Sequence, residues 1–261
     1  MNTIFYTGNK ENILGKILSA DYVVSDFDGT DVKSPLKKAA IDYCSNISNI
    51  VSRPKLLPWA VKAGLLRYVI EGKDSESRLW SEFSEILGED IHPMIESLRD
   101  CLGCKDDMNG KNAFLGSKVK SLDSYFLPGV KDFYKLLDNS ELFYASRNFT
   151  DIIGIFADEL DVPIYNIYSE LPSKGVALEK IIQRNDLMDK AGGIYVLRGD
   201  SNSDDEVIDV AKFYKEKDVI DDFVAIAIDG CSHSYNPDVS VVVSSNQTPL
   251  VNDLIKYQKS Q

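Results

Sequence analysis

The stretch 22–30, YVVSDFDGT, ends an apolar run in two aspartates, Asp26 and Asp28, with Phe27 between them and Gly29 behind. Side chains two apart on a strand share a face, so the two carboxylates stand side by side. Like charges that close raise each other's pKa and cost stability. Something must compensate. Far downstream, GDSNSD (199–204) places Asp200 and Asp204 after another apolar run. Asp26, Asp28 and Asp200 are hard oxygen donors of the kind that suit Mg²⁺. Ser146, at the end of LFYAS, supplies a hydroxyl, and Lys174, in SKGVALEKIIQR, supplies a cation. Together they suit an anion such as phosphate. Gly29 lets backbone N–H groups approach that anion. A carboxylate nucleophile, a second carboxyl, a metal and a phosphate cradle are the parts of phosphoryl transfer through an aspartyl-phosphate.

These residues act together only if a fold gathers them. Short apolar runs alternate with helical periods from residue 127 onward. The spacing predicts helices over 127–140, 149–160, 173–184 and 203–217, with Thr150 as an N-cap. It predicts strands over 142–146, 163–168, 193–198, 223–228 and 239–245, and 21–26 joins them. Strand and helix in alternation predict an α/β fold with a parallel sheet covered on both faces. In such sheets ligands bind at the carboxyl ends of the strands. Each candidate residue falls just after a strand or at the start of the following helix. Arg147 and Asn148 stand beside Ser146, where a loop side chain either contacts substrate or faces solvent.

Residues 31–123 read differently. Stripes such as Leu36, Ala39, Ala40, Tyr43, Cys44, Ile47 and Ile50 mark helices, and no convincing strand interrupts them. The expected organisation is a Rossmann-like, doubly wound core from 1–30 and 124–261, with a helical cap inserted over 31–123. In that insert Arg53, Arg67 and Arg78 read as a solvated helix face, and Trp59 and Trp80 as core. Cys101 and Cys104 form a lone CxxC, more readily two small residues near a helix end than half of a zinc site.

The chain has 261 residues and a formal net charge of −12. That charge argues against a protein that coats nucleic acid, which needs a basic face. No run of 18 apolar residues predicts a membrane span. The N-terminus lacks a basic start followed by an apolar run, so a cytoplasmic protein is expected.

With these residues in order, the chain resembles the haloacid dehalogenase-like hydrolases. DFDGT at 26–30, LFYAS at 142–146, Lys174 and GDSNSD at 199–204 are similar to the four motifs of that family, in the family's order. Lys174 is chosen by its place before the third helix; Lys180, nearly two turns further on, is the alternative. The resemblance implies that Asp26 is the nucleophile, and that Asp28 protonates the leaving oxygen and then activates water. It implies Mg²⁺ held by the Asp26 carboxylate, the Asp28 carbonyl and the Asp200 carboxylate. It gives Ser146 and Lys174 to the phosphoryl group, with Gly29 and Arg147 in the same phosphate-binding set, and has Asp204 orient Lys174 or a metal-bound water. The insert matches the position of the family's first-type cap, a lid over the site. The implied activity is a Mg²⁺-dependent phosphatase for a small phosphomonoester; a phosphomutase or a phosphate-binding regulatory protein are the alternatives. Two departures stand out. Asp31 follows DGT where leucine is common, making that turn more polar, and about twenty residues precede the first strand.

Overall fold

The computed structural model describes residues 4–33, 125–146, 150–169, 171–188, 190, 192–201, 204–228 and 236–261. The chain divides into two units, Met1–Lys33 with Ser124–Gln261, and Ser34–Asp123. The expected helices of the insert, its arginines and tryptophans, and Cys101 and Cys104 lie outside the described residues.

In chain order the described elements are β1 (Ile4–Tyr6), α1 (Lys10–Leu18), β2 (Tyr22–Ser25), α2 (Val130–Leu136), β3 (Glu141–Ala145), α3 (Thr150–Ala157), β4 (Ile167–Tyr168), α4 (Lys174–Leu187), β5 (Ile194–Gly199), α5 (Asp205–Glu216), β6 (Asp222–Ile228), β7 (Val239–Val243) and α6 (Thr248–Ser260). They build a seven-stranded sheet in the order β1-β7-β6-β5-β2-β3-β4. β1 pairs antiparallel with β7, and the other described pairings are parallel. This is an α/β fold of the doubly wound type.

The strands are apolar on both faces because helices cover both. Tyr22, Val24, Tyr195 and Leu197 pack against Leu178 and Ile181 of α4 and Ile208 of α5. Val23, Val196, Val224 and Ile226 point the other way, onto α1, α2 and α6 through Ile17, Phe133 and Leu254. Strand period two thus sorts one run of sequence into two cores. Phe27 continues this interior: it is fully buried, edge-on to Tyr144 and Phe156.

The segment without an assignment at the N-terminus forms β1 and α1. Asn9 caps α1 by accepting from the Asn12 amide at 3.0 Å, and Ile13, Leu14 and Ile17 bury its inner face. α6, unread at the other end, starts with Pro249 in its first turn and buries Leu250, Val251 and Leu254. The expected strand over 163–168 shrinks to Ile167–Tyr168, because Ile164–Asn166 form a 3₁₀ turn. Pro163 cannot donate to a ladder, and the Asn166 amide bonds back to the Leu142 carbonyl at 3.1 Å. Thr150, expected as an N-cap, lies inside α3, and its hydroxyl meets that of Ser169 at 2.5 Å.

Asp31 and Val32, read as the start of the insert, are buried in the sheet unit. There the chain runs beside residues 125–127. The Lys33 amide donates to the Tyr125 carbonyl at 2.8 Å, and the Leu127 amide to the Asp31 carbonyl at 2.9 Å. Among the described residues no helix is long and apolar enough to cross a membrane.

Candidate active site

β2 and β5 lie side by side and parallel, but the chain winds away from them in opposite directions. The gap beyond the carboxyl ends of two such strands is the usual ligand crevice of a doubly wound sheet. Asp26 is the residue after β2, and Asp200 the residue after β5.

Lys174 opens α4, whose N-cap Ser173 accepts from the Val176 amide at 3.3 Å. That start aims the lysine inward. Its Nζ lies 3.0 Å from Asp26 Oδ2 and 2.7 Å from Asp204 Oδ1, and all three side chains are buried. Asp204 spends its other oxygen on the loop after β5. Oδ2 accepts from the amides of Asp200 and Ser201 at 3.1 and 2.9 Å, and from the Ser201 hydroxyl at 2.9 Å. Gly199 permits this closeness, since a Cβ there would fall 2.2 Å from Asp204 Cγ. Asp204 therefore orients Lys174 and shapes the Asp200 loop at once.

Charge follows from this geometry. Asp26, Asp200 and Asp204 can each bring a carboxylate oxygen within 4.8 Å of the others. Asp204 is well supplied with donors, so the surplus negative charge falls on Asp26. Burial raises its pKa well above the ordinary range; Lys174 pulls it down, and Asp204 and Asp200 push it back up. Burial alone would lower Lys174, but Asp204 and Asp26 outweigh it and hold the ammonium charged.

A second cation would relieve this surplus. The donor set is all oxygen, which fits Mg²⁺. Asp26, Asp200 and Asp204 together form a carboxylate group that could hold such a cation, with the two oxygens of Asp204 already meeting Lys174 and the loop. The turn after Asp26 is closed by its own hydrogen bonds. The Asp31 and Val32 amides both reach back to the Phe27 carbonyl, at 3.0 and 3.2 Å, and the Gly29 amide donates to the Val32 carbonyl at 2.9 Å. Gly29 has φ +80°, and a Cβ on it would fall 2.1 Å from Asp200 Oδ2. Its own amide is thus engaged inside the turn. Its visible work is to leave room for Asp200.

The other expected residues fall as follows. Asp28 is partly buried, in the turn between Asp26 and Gly29. Ser146 follows β3, the neighbour of β2; it is buried, with its amide donating to the Tyr168 carbonyl at 3.1 Å. Lys180 is exposed, whereas Lys174 is buried beside Asp26. Arg147 and Asn148 lie outside the described residues.

Sequence reasoning missed a second cluster on the opposite face of the sheet. Arg198, the residue before Gly199, is buried with Asp31 at 2.7 Å, and both side chains are 0% exposed. Its guanidinium also donates to Ser25 Oγ at 3.3 Å, to the Tyr134 hydroxyl and to Gln247 Oε1. It lies over the rings of Phe133 and Tyr134, 4.5 and 4.8 Å from their centres. The polar Asp31 after DGT was the available signal; its partner sits 167 residues away.

No protein-family model and no curated protein matches the chain. Solved structures with a similar course include DsGPDH of Dunaliella salina, at 19% identity and TM-score 0.42 over 84% of this chain and 33% of that one. This chain thus spans about a third of its length. A phosphoserine phosphohydrolase-like protein from Francisella tularensis subsp. tularensis SCHU S4 aligns at 18% identity and TM-score 0.39, over 79% of this chain and 87% of that one. The catalytic domain of the CPx-ATPase CopB-B aligns at 12% and 0.43, over 98% and 94%. Likenesses this distant leave the chemistry to the chain's own residues.

Proposed function

We propose that this protein is a Mg²⁺-dependent phosphatase that hydrolyses a small phosphomonoester through an aspartyl-phosphate on Asp26. The observation that carries the reading is the buried Lys174, bridging Asp26 at 3.0 Å and Asp204 at 2.7 Å beside the Asp200 loop. A structural ion pair needs two partners; here one lysine serves a crowded set of carboxylates at a ligand crevice, which suits a site made to receive an anion and a cation together.

In this reading an Asp26 carboxylate oxygen attacks phosphorus and the ester oxygen leaves. Asp28 donates its proton to that oxygen, so the alcohol departs neutral. Asp28 then takes a proton from water, whose oxygen attacks the phosphorus of the acyl phosphate. The phosphorus–oxygen bond to Asp26 breaks, releasing inorganic phosphate and restoring the carboxylate. Lys174 neutralises the nucleophile and the phosphoryl oxygens, and Ser146 donates a hydrogen bond to the transferring group. Mg²⁺, held by Asp26, Asp200 and the Asp28 carbonyl, would supply Lewis-acid stabilisation of phosphoryl charge. Arg147 remains in the proposed phosphate-binding set. The cap, residues 34–123 together with the connection from Asp31, is the proposed substrate-selecting segment.

The test is a screen of phosphorylated metabolites and para-nitrophenyl phosphate with Mg²⁺. Release of inorganic phosphate is expected for at least one ester. An isomerised sugar phosphate without release would identify a phosphomutase, and tight phosphate binding without turnover a binding protein.

A further inference from the structure

The turn from Asp26 to Asp31 is held from both faces of the sheet. On one face Lys174, itself paired with Asp204, takes the Asp26 carboxylate. On the other lies the Arg198 cluster, which no step of the chemistry above uses. We propose that Asp31 and Arg198 are positioning residues: their buried ion pair fixes the turn carrying Asp28 and Gly29 against the strand that carries Asp200. The inference rests on the phosphatase reading.

Connectivity supports it. Arg198 lies on β5, two residues before Asp200. Its guanidinium touches Ser25, the residue before Asp26, and Asp31, the residue that ends the turn. Ser25 Oγ in turn donates to the Asp26 carbonyl at 2.9 Å. Gln247 accepts from Arg198 and donates through Nε2 to the Thr30 carbonyl at 2.7 Å. Tyr134 donates to the second oxygen of Asp31 at 2.5 Å. The catalytic turn is thus gripped at residues 25, 30 and 31, on both sides of Asp26 and Asp28. A planar fork with several donors can hold those points together, where a point charge such as lysine cannot.

Stability is a poor reason for this arrangement. A buried ion pair is commonly matched or bettered by apolar side chains of similar volume, because both charges must be desolvated. The ring faces of Phe133 and Tyr134 would accept apolar groups, while Ser25, the Tyr134 hydroxyl and Gln247 would each lose a partner. Geometry is the better reason. The turn and Asp200 are within contact at Gly29, where even one added carbon would overlap the carboxylate. A small rotation of the turn would therefore misplace Asp28 and the metal oxygens together.

The test compares wild type with Asp31→Leu/Arg198→Leu. The readouts are the melting temperature, Mg²⁺ affinity by calorimetry without substrate, and kcat on a hydrolysed ester. The double variant leaves the Tyr134 hydroxyl, Ser25 Oγ and Gln247 Oε1 short of a partner, so it is expected to melt below wild type, bind Mg²⁺ about tenfold more weakly and lose about a hundredfold in kcat. A folded double variant with wild-type metal affinity and kcat overturns the proposal, since the pair would then be packing alone. If the double variant does not fold, Arg198→Lys decides: it keeps a cation beside Asp31 but removes the fork that also reaches Ser25 and Gln247. Weakened Mg²⁺ binding and lowered kcat in that folded variant support the proposal, and wild-type values overturn it. A wild-type protein that neither binds Mg²⁺ nor hydrolyses any phosphomonoester fails at the phosphatase reading itself, and both fall.

Discussion

Asp26 is buried beside two other carboxylates, with Lys174 supplying the positive charge described around it. Its pKa is raised in the folded protein, first by burial. The folded state therefore keeps this proton at pH values where the unfolded chain has released it. The stability it contributes is present below the ordinary value of 3.8 and is lost as pH rises through the raised value. Asp26→Asn removes that loss and still accepts from Lys174. In metal-free buffer at neutral pH it should melt about 2–4 °C above wild type, roughly 1 kcal/mol for a domain of this size. The gap should close toward acid pH, as scanning calorimetry can follow. Lys174→Met acts the other way: it strands Asp26 and Asp204 in the interior and should cost about 3–5 kcal/mol at neutral pH by urea titration. Asp26 and Asp200 stand out in the sequence because each follows an apolar run; Lys174 is marked only by its place before a helix and Asp204 by its motif, and the structure pairs the two at 2.7 Å. Arg198 does not stand out, since one arginine at the end of GIYVLR reads as a strand-end residue until the partner Asp31 is brought to it.

The turn from Phe27 to Val32 brings Asp26, the proposed nucleophile, close to Asp200, the proposed metal ligand, at Gly29. Gly29→Ala must both adopt φ +80° and overlap Asp200. It should abolish the rise in melting temperature that Mg²⁺ gives the wild type, a gain of about 2.7 kcal/mol when metal is a hundredfold above its Kd. α1 makes a prediction of a different sort. Ile17 is fully buried between α1 and the sheet, so Ile17→Ala should cost about 2–5 kcal/mol without altering Mg²⁺ affinity. The central strands were legible as continuous apolar runs bounded by polar turns. α1 and α6 carry helical spacing too, but their apolar stripes are short and read only once a sheet face is there to receive them. The 3₁₀ turn at Ile164–Asn166 escaped because β-branched and aromatic residues outweighed Pro163 as a local signal.

At the scale of the molecule, the parallel order places the ends of β2, β3 and β5 next to one another. Asp26, Ser146 and Asp200, each just after one of these strands, thereby come to the same end of the sheet, which is why residues far apart in sequence can be neighbours in the fold. A net charge of −12 opposes an anionic substrate at long range, so a local cation should govern its binding. Affinity for inorganic phosphate is expected to collapse in EDTA and to return with Mg²⁺, measured by calorimetry. The central claim is that Asp26 carries phosphoryl transfer. Phosphate release from the best ester of the screen tests it most directly, with wild type and Asp26→Asn each assayed with Mg²⁺ and with EDTA. The account predicts turnover by the wild type with Mg²⁺ alone, and none by a folded Asp26→Asn. Turnover retained by Asp26→Asn, or a wild type inert toward every ester with Mg²⁺ present, would contradict it.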